Sequence, residues 1–181
     1  STPNVFIDDI FIVPTGGVIS AGMCSAPWNP LHNGSAEINF TTETFTTPAG
    51  AEAYWALADD GGTTALTNTT SNVRDGLRKY HLANDTSGRV SKVFQTIDEA
   101  VEGLADLQNR TAVLEAYLDS NSAGNQKTRT YITDASGSTY STWDDDTAYA
   151  LSRVERPLDA GSSMVFGIEA DGGLGSVVNL D

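Results

Sequence analysis

The residues from Val93 to Leu118 carry apolar side chains with a period of seven, and no other feature restricts the possible fold as strongly. The d positions of this repeat are Val93, Ala100, Leu107 and Leu114, and the a positions are Ile97, Leu104, Thr111 and Leu118. A stripe this narrow is typical of a helix that packs against a copy of itself or against one neighbouring helix. The repeat therefore predicts a long helix from about Val90 to Ser120.

We expect this helix to join subunits through its apolar stripe, with Thr111 helping to fix the register. The residues expected at the contact are Ile97, Leu104, Leu107, Leu114 and Leu118. A short amphipathic helix is predicted over Val73–Ala83, with Ser71 as its N-cap. Packing of the two helices within one chain would bury the same stripe, and this alternative stays open.

Outside this region the pattern predicts short strands separated by turns rich in Gly, Pro, Asn and Asp. Apolar residues of both parities in Val5–Val13 predict a strand buried on both faces, in part by a neighbouring subunit. The residues expected to make that contact are Val5, Ile7, Phe11 and Val13. In Ser163–Ala170 every second residue is apolar, so Met164, Phe166, Ile168 and Ala170 are expected to face inward.

Strands on both sides of the helical region predict a mainly β (α+β) protein. The predicted architecture is an antiparallel β-sandwich or jelly-roll-like domain with an inserted helical segment, which includes one long heptad-patterned helix. The β domain would be discontinuous and comprise residues 1–70 and 126–181, and the helical insertion would comprise residues 71–125.

The charge balance excludes nucleic acid as an expected partner. The 181 residues include 24 acidic and 10 basic side chains, which give a net charge of −14. Binding to phosphates needs clustered Lys and Arg, and the chain has no such cluster of useful size. Dense Asp with scarce Lys resembles proteins of salt-loving organisms. We also expect no membrane-spanning segment, because no apolar run approaches about 18 residues.

The sequence predicts no catalytic residues. His32 and His81 lie far apart, and no G-x-S-x-G motif marks a nucleophile. Cys24 is the sole cysteine, which excludes a multi-cysteine metal site. An enzyme of unknown class stays an alternative, and it would need titratable groups that converge in a pocket.

The acidic run after Trp143 is the best candidate for a metal site. Asp144 and Asp146 offer hard oxygen ligands on a loop, which is the kind of ligand that Ca²⁺ takes. Their spacing matches no EF-hand, so solvated acidic turns are the competing interpretation. No other cofactor is expected.

An acidic β domain rich in Thr and Ser, joined to a self-associating helix, resembles virion structural proteins. The similar classes are single jelly-roll capsid subunits, capsid-decoration or turret proteins and fibre bases, and the composition suggests a virus of halophilic archaea. The resemblance implies a non-enzymatic role in a virion, outside the cell. The implied partners are further copies of the chain, with a trimer favoured, and other virion proteins.

The alternative function is a secreted or cell-surface binding module. It would bind carbohydrate by stacking on Trp28, Trp55 or Trp143 near acidic loops that hold Ca²⁺. Exposed tryptophans would favour this function, and burial of all three would exclude it.

Overall fold

The protein is described by a computed structural model over residues 45–46, 51–52, 55–59, 64–69, 79–84, 89–98, 110–120, 127–158, 163–172 and 176–180. These residues form twelve β-strands, and none of them lies in a helix. The strands are β1 (Phe45–Thr46), β2 (Ala51–Glu52), β3 (Trp55–Asp59), β4 (Thr64–Thr69), β5 (Lys79–Asn84), β6 (Arg89–Asp98), β7 (Arg110–Asp119), β8 (Lys127–Asp134), β9 (Gly137–Tyr140), β10 (Ala150–Leu158), β11 (Ser163–Gly172) and β12 (Ser176–Leu180).

The strands form two antiparallel sheets. The first sheet has the order β1-β4-β5-β12-β7-β10, and the second has the order β2-β3-β6-β11-β8-β9. From β6 to β8 and again from β10 to β12, consecutive strands change sheet. This crossing between layers is typical of jelly-roll-like sandwiches.

The hydrophobic core lies between the two sheets. One cluster combines Ile97, Ile132, Met164 and Phe166 of the second sheet with Ala112, Leu114, Val154 and Leu158 of the first. A second cluster packs around Trp55, Leu82 and Val93. The inward orientation predicted for alternate residues of Ser163–Ala170 is confirmed, because all four are buried. The predicted antiparallel β-sandwich is confirmed as well.

The long helix predicted over Val90–Ser120 is wrong within the described residues. Arg89–Asp98 and Arg110–Asp119 are strands that pair with other strands along most or all of their length. The heptad misleads because a spacing of four is an even number. Val93 and Ile97, like Leu114 and Leu118, share one face in a strand just as they do in a helix.

Two features of the sequence concealed the strand period. On β6, the polar residues Ser91 and Gln95 lie on the same buried side as the apolar residues, so the inward-facing row alternates between polar and apolar side chains. On β7, Val113 is buried although it faces away from Leu114, and good helix formers such as Ala and Leu are frequent. Pairing within a sheet overrides such local preferences.

The short helix predicted over Val73–Ala83 is also wrong where the chain is described. Residues 79–83 belong to β5, which pairs with β4 and β12, and His81 stands opposite Thr67 and Asn179. The remaining part of that segment lies outside the described residues. Strands from the segment predicted to be an insertion occupy positions in both sheets. The domain boundaries themselves stay a prediction.

An arginine ties the two sheets together at the β8–β9 hairpin. Arg156 of β10 donates from Nη2 to Asp134 Oδ1 at 2.6 Å and from Nη1 to Thr139 Oγ1 at 2.8 Å. Asp134 Oδ1 also accepts the backbone N–H of Ser136 at 2.9 Å, which closes the turn. Gly137 follows this turn with a φ of 140°, a conformation that favours glycine.

The two leucines Leu114 and Leu151 allow a matched test of the core. Leu114 is 2% exposed between the sheets, whereas Leu151 on the neighbouring strand is 49% exposed. We expect Leu114→Ala to lower the free energy of unfolding by about 2–5 kcal/mol, because it leaves a cavity. Leu151→Ala should stay within about 0.5 kcal/mol of the wild type. Urea unfolding measures both, and equal small losses would contradict this placement of the core.

Candidate functional site

The strand register aligns two rows of side chains on the outer face of the second sheet. The first row runs across β6, β11, β8 and β9 as Phe94, Gly167, Tyr131 and Tyr140. The second row runs across β6, β11 and β8 as Lys92, Glu169 and Arg129. Neighbouring strands are about 4.8 Å apart, so the first row spans roughly 14 Å. These rows combine aromatic rings with charged groups on one surface.

A buried carboxylate lies at the centre of the second row. Glu169 has a side chain that is 2% exposed, and both of its direct cross-strand neighbours are cations. Its Oε1 lies 2.6 Å from Lys92 Nζ, and its Oε2 accepts from Arg129 Nε at 2.7 Å and from Nη2 at 2.5 Å. Loss of both cations would be strongly destabilising, because the buried charge of Glu169 would be left uncompensated.

The ring of Tyr131 occupies the space next to Gly167 in the first row. A Cβ atom added to Gly167 would stand 2.6 Å from Cε1, Cζ and Oη of Tyr131. The centroids of the Tyr140 and Tyr131 rings are 5.9 Å apart, and Lys92 Nζ lies 5.4 Å from the centroid of the Tyr131 ring. Burial, and then the charge of Glu169, raise the pKa of the Tyr131 phenol well above its ordinary value.

An extra residue after β9 brings Trp143 to the same face. Ser141 N–H donates to the Thr130 carbonyl at 2.9 Å, and Asp144 exchanges two backbone hydrogen bonds with Thr128. Between these two pairs, Thr142 and Trp143 stand opposite the single residue Arg129. This is the geometry of a β-bulge, which redirects side chains. If the same residues paired regularly, without a bulge, Trp143 would stand opposite Thr128 and face the core.

The bulge places the guanidinium of Arg129 against two aromatic rings. Its Cζ lies 4.0 Å from the ring centroid of Tyr140 and 4.1 Å from that of Trp143. Tyr140 is 40% exposed and Trp143 is partly exposed. We call Lys92, Arg129, Tyr131, Tyr140, Trp143 and Glu169 the aromatic–ionic face.

Three hydroxyl groups support the bulge from inside the sandwich. The Thr130 N–H donates to Ser141 Oγ at 3.0 Å and to Ser152 Oγ at 3.3 Å. Ser152 Oγ also lies 2.9 Å from Ser141 Oγ and 3.1 Å from Thr130 Oγ1. Ser152 belongs to β10 of the first sheet, so this network crosses the core.

Three of the side chains predicted to form an oligomer contact lie in the core of their own chain. Ile97, Leu114 and Leu118 are buried between the two sheets of their own chain. The helix stripe they were expected to form is therefore wrong. Leu104, Leu107, Val5, Ile7, Phe11 and Val13 lie outside the described residues. Self-association of the chain stays a prediction.

The predicted calcium ligands lie directly after the bulge. Asp144 Oδ1 accepts the N–H of Asp146 at 2.9 Å, which closes a local turn. The Asp146 carbonyl accepts both the N–H and the hydroxyl of Ser120, at 3.0 and 2.7 Å. Within the described residues, no three His, Cys, Asp or Glu side chains converge as a metal site. Calcium binding by Asp144 and Asp146 stays a prediction.

Of the three tryptophans considered for stacking, one lies on the aromatic–ionic face. Trp55 is 2% exposed and packs in the core, so it is wrong as a ligand platform. Trp143 lies on the aromatic–ionic face, as the alternative function requires. Trp28 lies outside the described residues, as does His32.

Sequence reasoning missed Tyr131, Tyr140 and the ionic group around Glu169. A signal for Glu169 was present, because it is the one charge between the inward-facing residues Phe166 and Ala170. Its parity is opposite to theirs, which places it on the outer face.

Solved structures with a similar fold include carbohydrate-binding modules and part of a phage protein. TmCBM61 in complex with β-1,4-galactotriose has a TM-score of 0.51 and 12% identity, over 70% of this chain and 83% of that chain. The CBM22-1 xylan-binding domain from Paenibacillus barcinonensis Xyn10C has a TM-score of 0.52 and 12% identity, over 79% and 91%. The enzymatically active domain of bacteriophage CBA120 tailspike protein 4 has a TM-score of 0.50 and 15% identity, over 71% and 18%. No protein-family model and no curated protein matches the chain.

These likenesses show the fold, and they correct the predicted function. The interpretation as a virion capsid, decoration or fibre protein of a halophilic virus is wrong. It rested on a coiled-coil helix that the described residues lack, and the similar structures are mostly carbohydrate-binding modules. The match to the tailspike domain covers 18% of that chain, and it does not support the interpretation as a virion protein. No described helix is long and apolar enough to cross a membrane.

Gly167 allows a test of the packing beneath Tyr131. We expect Gly167→Ala to lower the free energy of unfolding by about 1–3 kcal/mol, because the new methyl group displaces the buried ring. In a Tyr131→Ala background the same substitution should cost much less. A double-mutant cycle by urea unfolding measures this coupling. Equal costs in the two backgrounds would show that the ring does not lie over Gly167.

The raised pKa of Tyr131 predicts a loss of stability at high pH. The unfolded phenol titrates near pH 10, so above that pH the unfolded state loses a proton that the folded state keeps. Stability from this group is complete below pH 10 and falls as the pH rises further. We expect the free energy of unfolding to fall by about 1 kcal/mol more per pH unit than in Tyr131→Phe. Parallel curves from pH 9 to 11 for the two proteins would contradict the burial of this phenol.

Proposed function

We propose that this protein is a non-enzymatic carbohydrate-binding module and that its aromatic–ionic face binds the saccharide. The observation that carries the proposal is the pair of accessible rings, Tyr140 and Trp143, on either side of one guanidinium. A sugar presents C–H groups on the faces of its ring and hydroxyls around its edge. Aromatic faces beside fixed hydrogen-bonding groups suit both parts of such a ligand.

The ionic group supplies fixed polar contacts beside the rings. Lys92 keeps one contact to Glu169 while 37% of its side chain stays accessible, so further N–H donors are open to hydroxyl groups. Arg129 is held by Glu169 and by stacking, which fixes its orientation before any ligand arrives. Preorganisation of this kind lowers the entropy cost of binding.

The proposal of a binding role without catalysis rests on the state of Glu169. Most glycosidases use two carboxyl groups that flank the scissile bond, one of them as an acid. Glu169 is buried and held in ion pairs with two cations, which suits a structural carboxylate. An extracellular location is part of the same proposal.

The candidate ligands are those named for two of the similar structures, xylan and β-1,4-galactan fragments. Titration calorimetry with xylo- and galacto-oligosaccharides, and affinity electrophoresis in gels that contain the polymers, would measure binding. We expect Tyr140→Ala and Trp143→Ala each to weaken binding by about tenfold or more, as aromatic anchors do.

Leu151→Ala provides the control, because it removes an exposed apolar side chain from the other sheet. It should leave the affinity unchanged, and all three variants should keep the melting temperature within a few degrees. Absence of saccharide binding by the wild type would contradict the function. Binding that both aromatic variants retain would contradict the face.

A further inference from the structure

The polar network beneath the bulge connects the aromatic–ionic face to the opposite sheet. Ser152 lies on β10 of the first sheet, is buried, and cannot reach a ligand on the outer face of the second. Its hydroxyl nevertheless lies 3.3 Å from the Thr130 nitrogen and 2.9 Å from Ser141 Oγ. It therefore contacts both strands of the ladder at the residue pair that precedes the bulge.

We infer that Ser152 is a positioning residue for Trp143, an inference that rests on the proposed function. In a regular antiparallel ladder the pair of Thr130 and Ser141 would exchange two backbone hydrogen bonds. The Ser141 N–H makes its bond to the Thr130 carbonyl at 2.9 Å. The Thr130 N–H donates to the two serine hydroxyls, so these hydroxyls satisfy the group that the bulge deprives of a carbonyl.

The Thr130 N–H depends on these hydroxyls because Thr130 is buried. Thr130 is fully buried, and an unsatisfied backbone N–H is costly where water cannot reach it. If the hydroxyls are lost, the Thr130 N–H regains a backbone carbonyl as its partner when the two strands pair here without the bulge. Thr142 then stands opposite Arg129, and Trp143 leaves the aromatic–ionic face.

The effect on binding follows from the fraction of molecules that keep the bulge. A ligand that requires Trp143 binds the bulged form, so its apparent affinity falls in proportion to the population of that form. Ser141 Oγ remains as one acceptor when Ser152 is replaced. The single variant Ser152→Ala should therefore have an intermediate effect, and Ser141→Ala with Ser152→Ala a larger one.

The first experiment uses tryptophan fluorescence, which does not depend on any saccharide. The difference between each protein and its Trp143→Phe counterpart isolates the emission of Trp143. We expect Ser152→Ala to shift this emission and change its quenching by acrylamide, and Ser152→Thr, which keeps a hydroxyl, to restore both. Leu151→Ala on the same strand should leave them unchanged. A Trp143 signal that Ser141→Ala and Ser152→Ala leave unaltered, singly and together, would overturn the inference.

The second experiment measures saccharide affinity in a cycle with Trp143→Ala. We expect Ser152→Ala to weaken binding in the wild type by less than Trp143→Ala does, and to have little effect once Trp143 is absent. An equal loss in both backgrounds would show a general structural role and overturn the inference. If the wild type binds no saccharide while the fluorescence responds as expected, the positioning role stands and the proposed function fails.

Discussion

Burial of one carboxylate organises the outer face of the second sheet. Glu169 sits between Lys92 and Arg129 on adjacent strands, and taking its charge out of water would cost several kcal/mol without them. Arg129 donates a hydrogen bond from Nε to Oε2 of Glu169, and its Nη2 makes an ion pair with the same oxygen, so the guanidinium is held at two points. The rings of Tyr140 and Trp143 then pack against a group that no longer rotates. The arrangement of the aromatic residues thus depends on an ionic contact beneath them.

A single strand serves both the core and the candidate site. On β11 the residues Met164, Phe166 and Ile168 face the first sheet, whereas Gly167 and Glu169 face outward. The lack of a side chain at Gly167 lets the Tyr131 ring lie against the sheet. Because strand side chains alternate, an insertion of one residue within β11 would exchange the two sets. The core and the aromatic–ionic face therefore depend on one register.

Much of the sandwich followed from the sequence, but the helix and the site did not. Alternation predicted the inward row of β11. The spacing of Val93 and Ile97 fits a helix and a strand equally, and the buried Gln95 between them concealed the difference. Trp143 could not be placed, because its face depends on one unpaired residue that no spacing reveals. Glu169 could have been found as the one charge between the inward-facing residues Phe166 and Ala170.

Strand β10, one of the two outermost described strands of the first sheet, is unsuited to extension by a second chain. Pro157 offers no N–H to an incoming strand, and Arg153 and Glu155 give the same strand exposed charges. An edge of this kind discourages the sheet-to-sheet polymerisation that leads to fibres. On the saccharide polymer proposed as ligand, molecules bound side by side would therefore not join through this strand, and any gain in retention would come from tethering several of them in one chain.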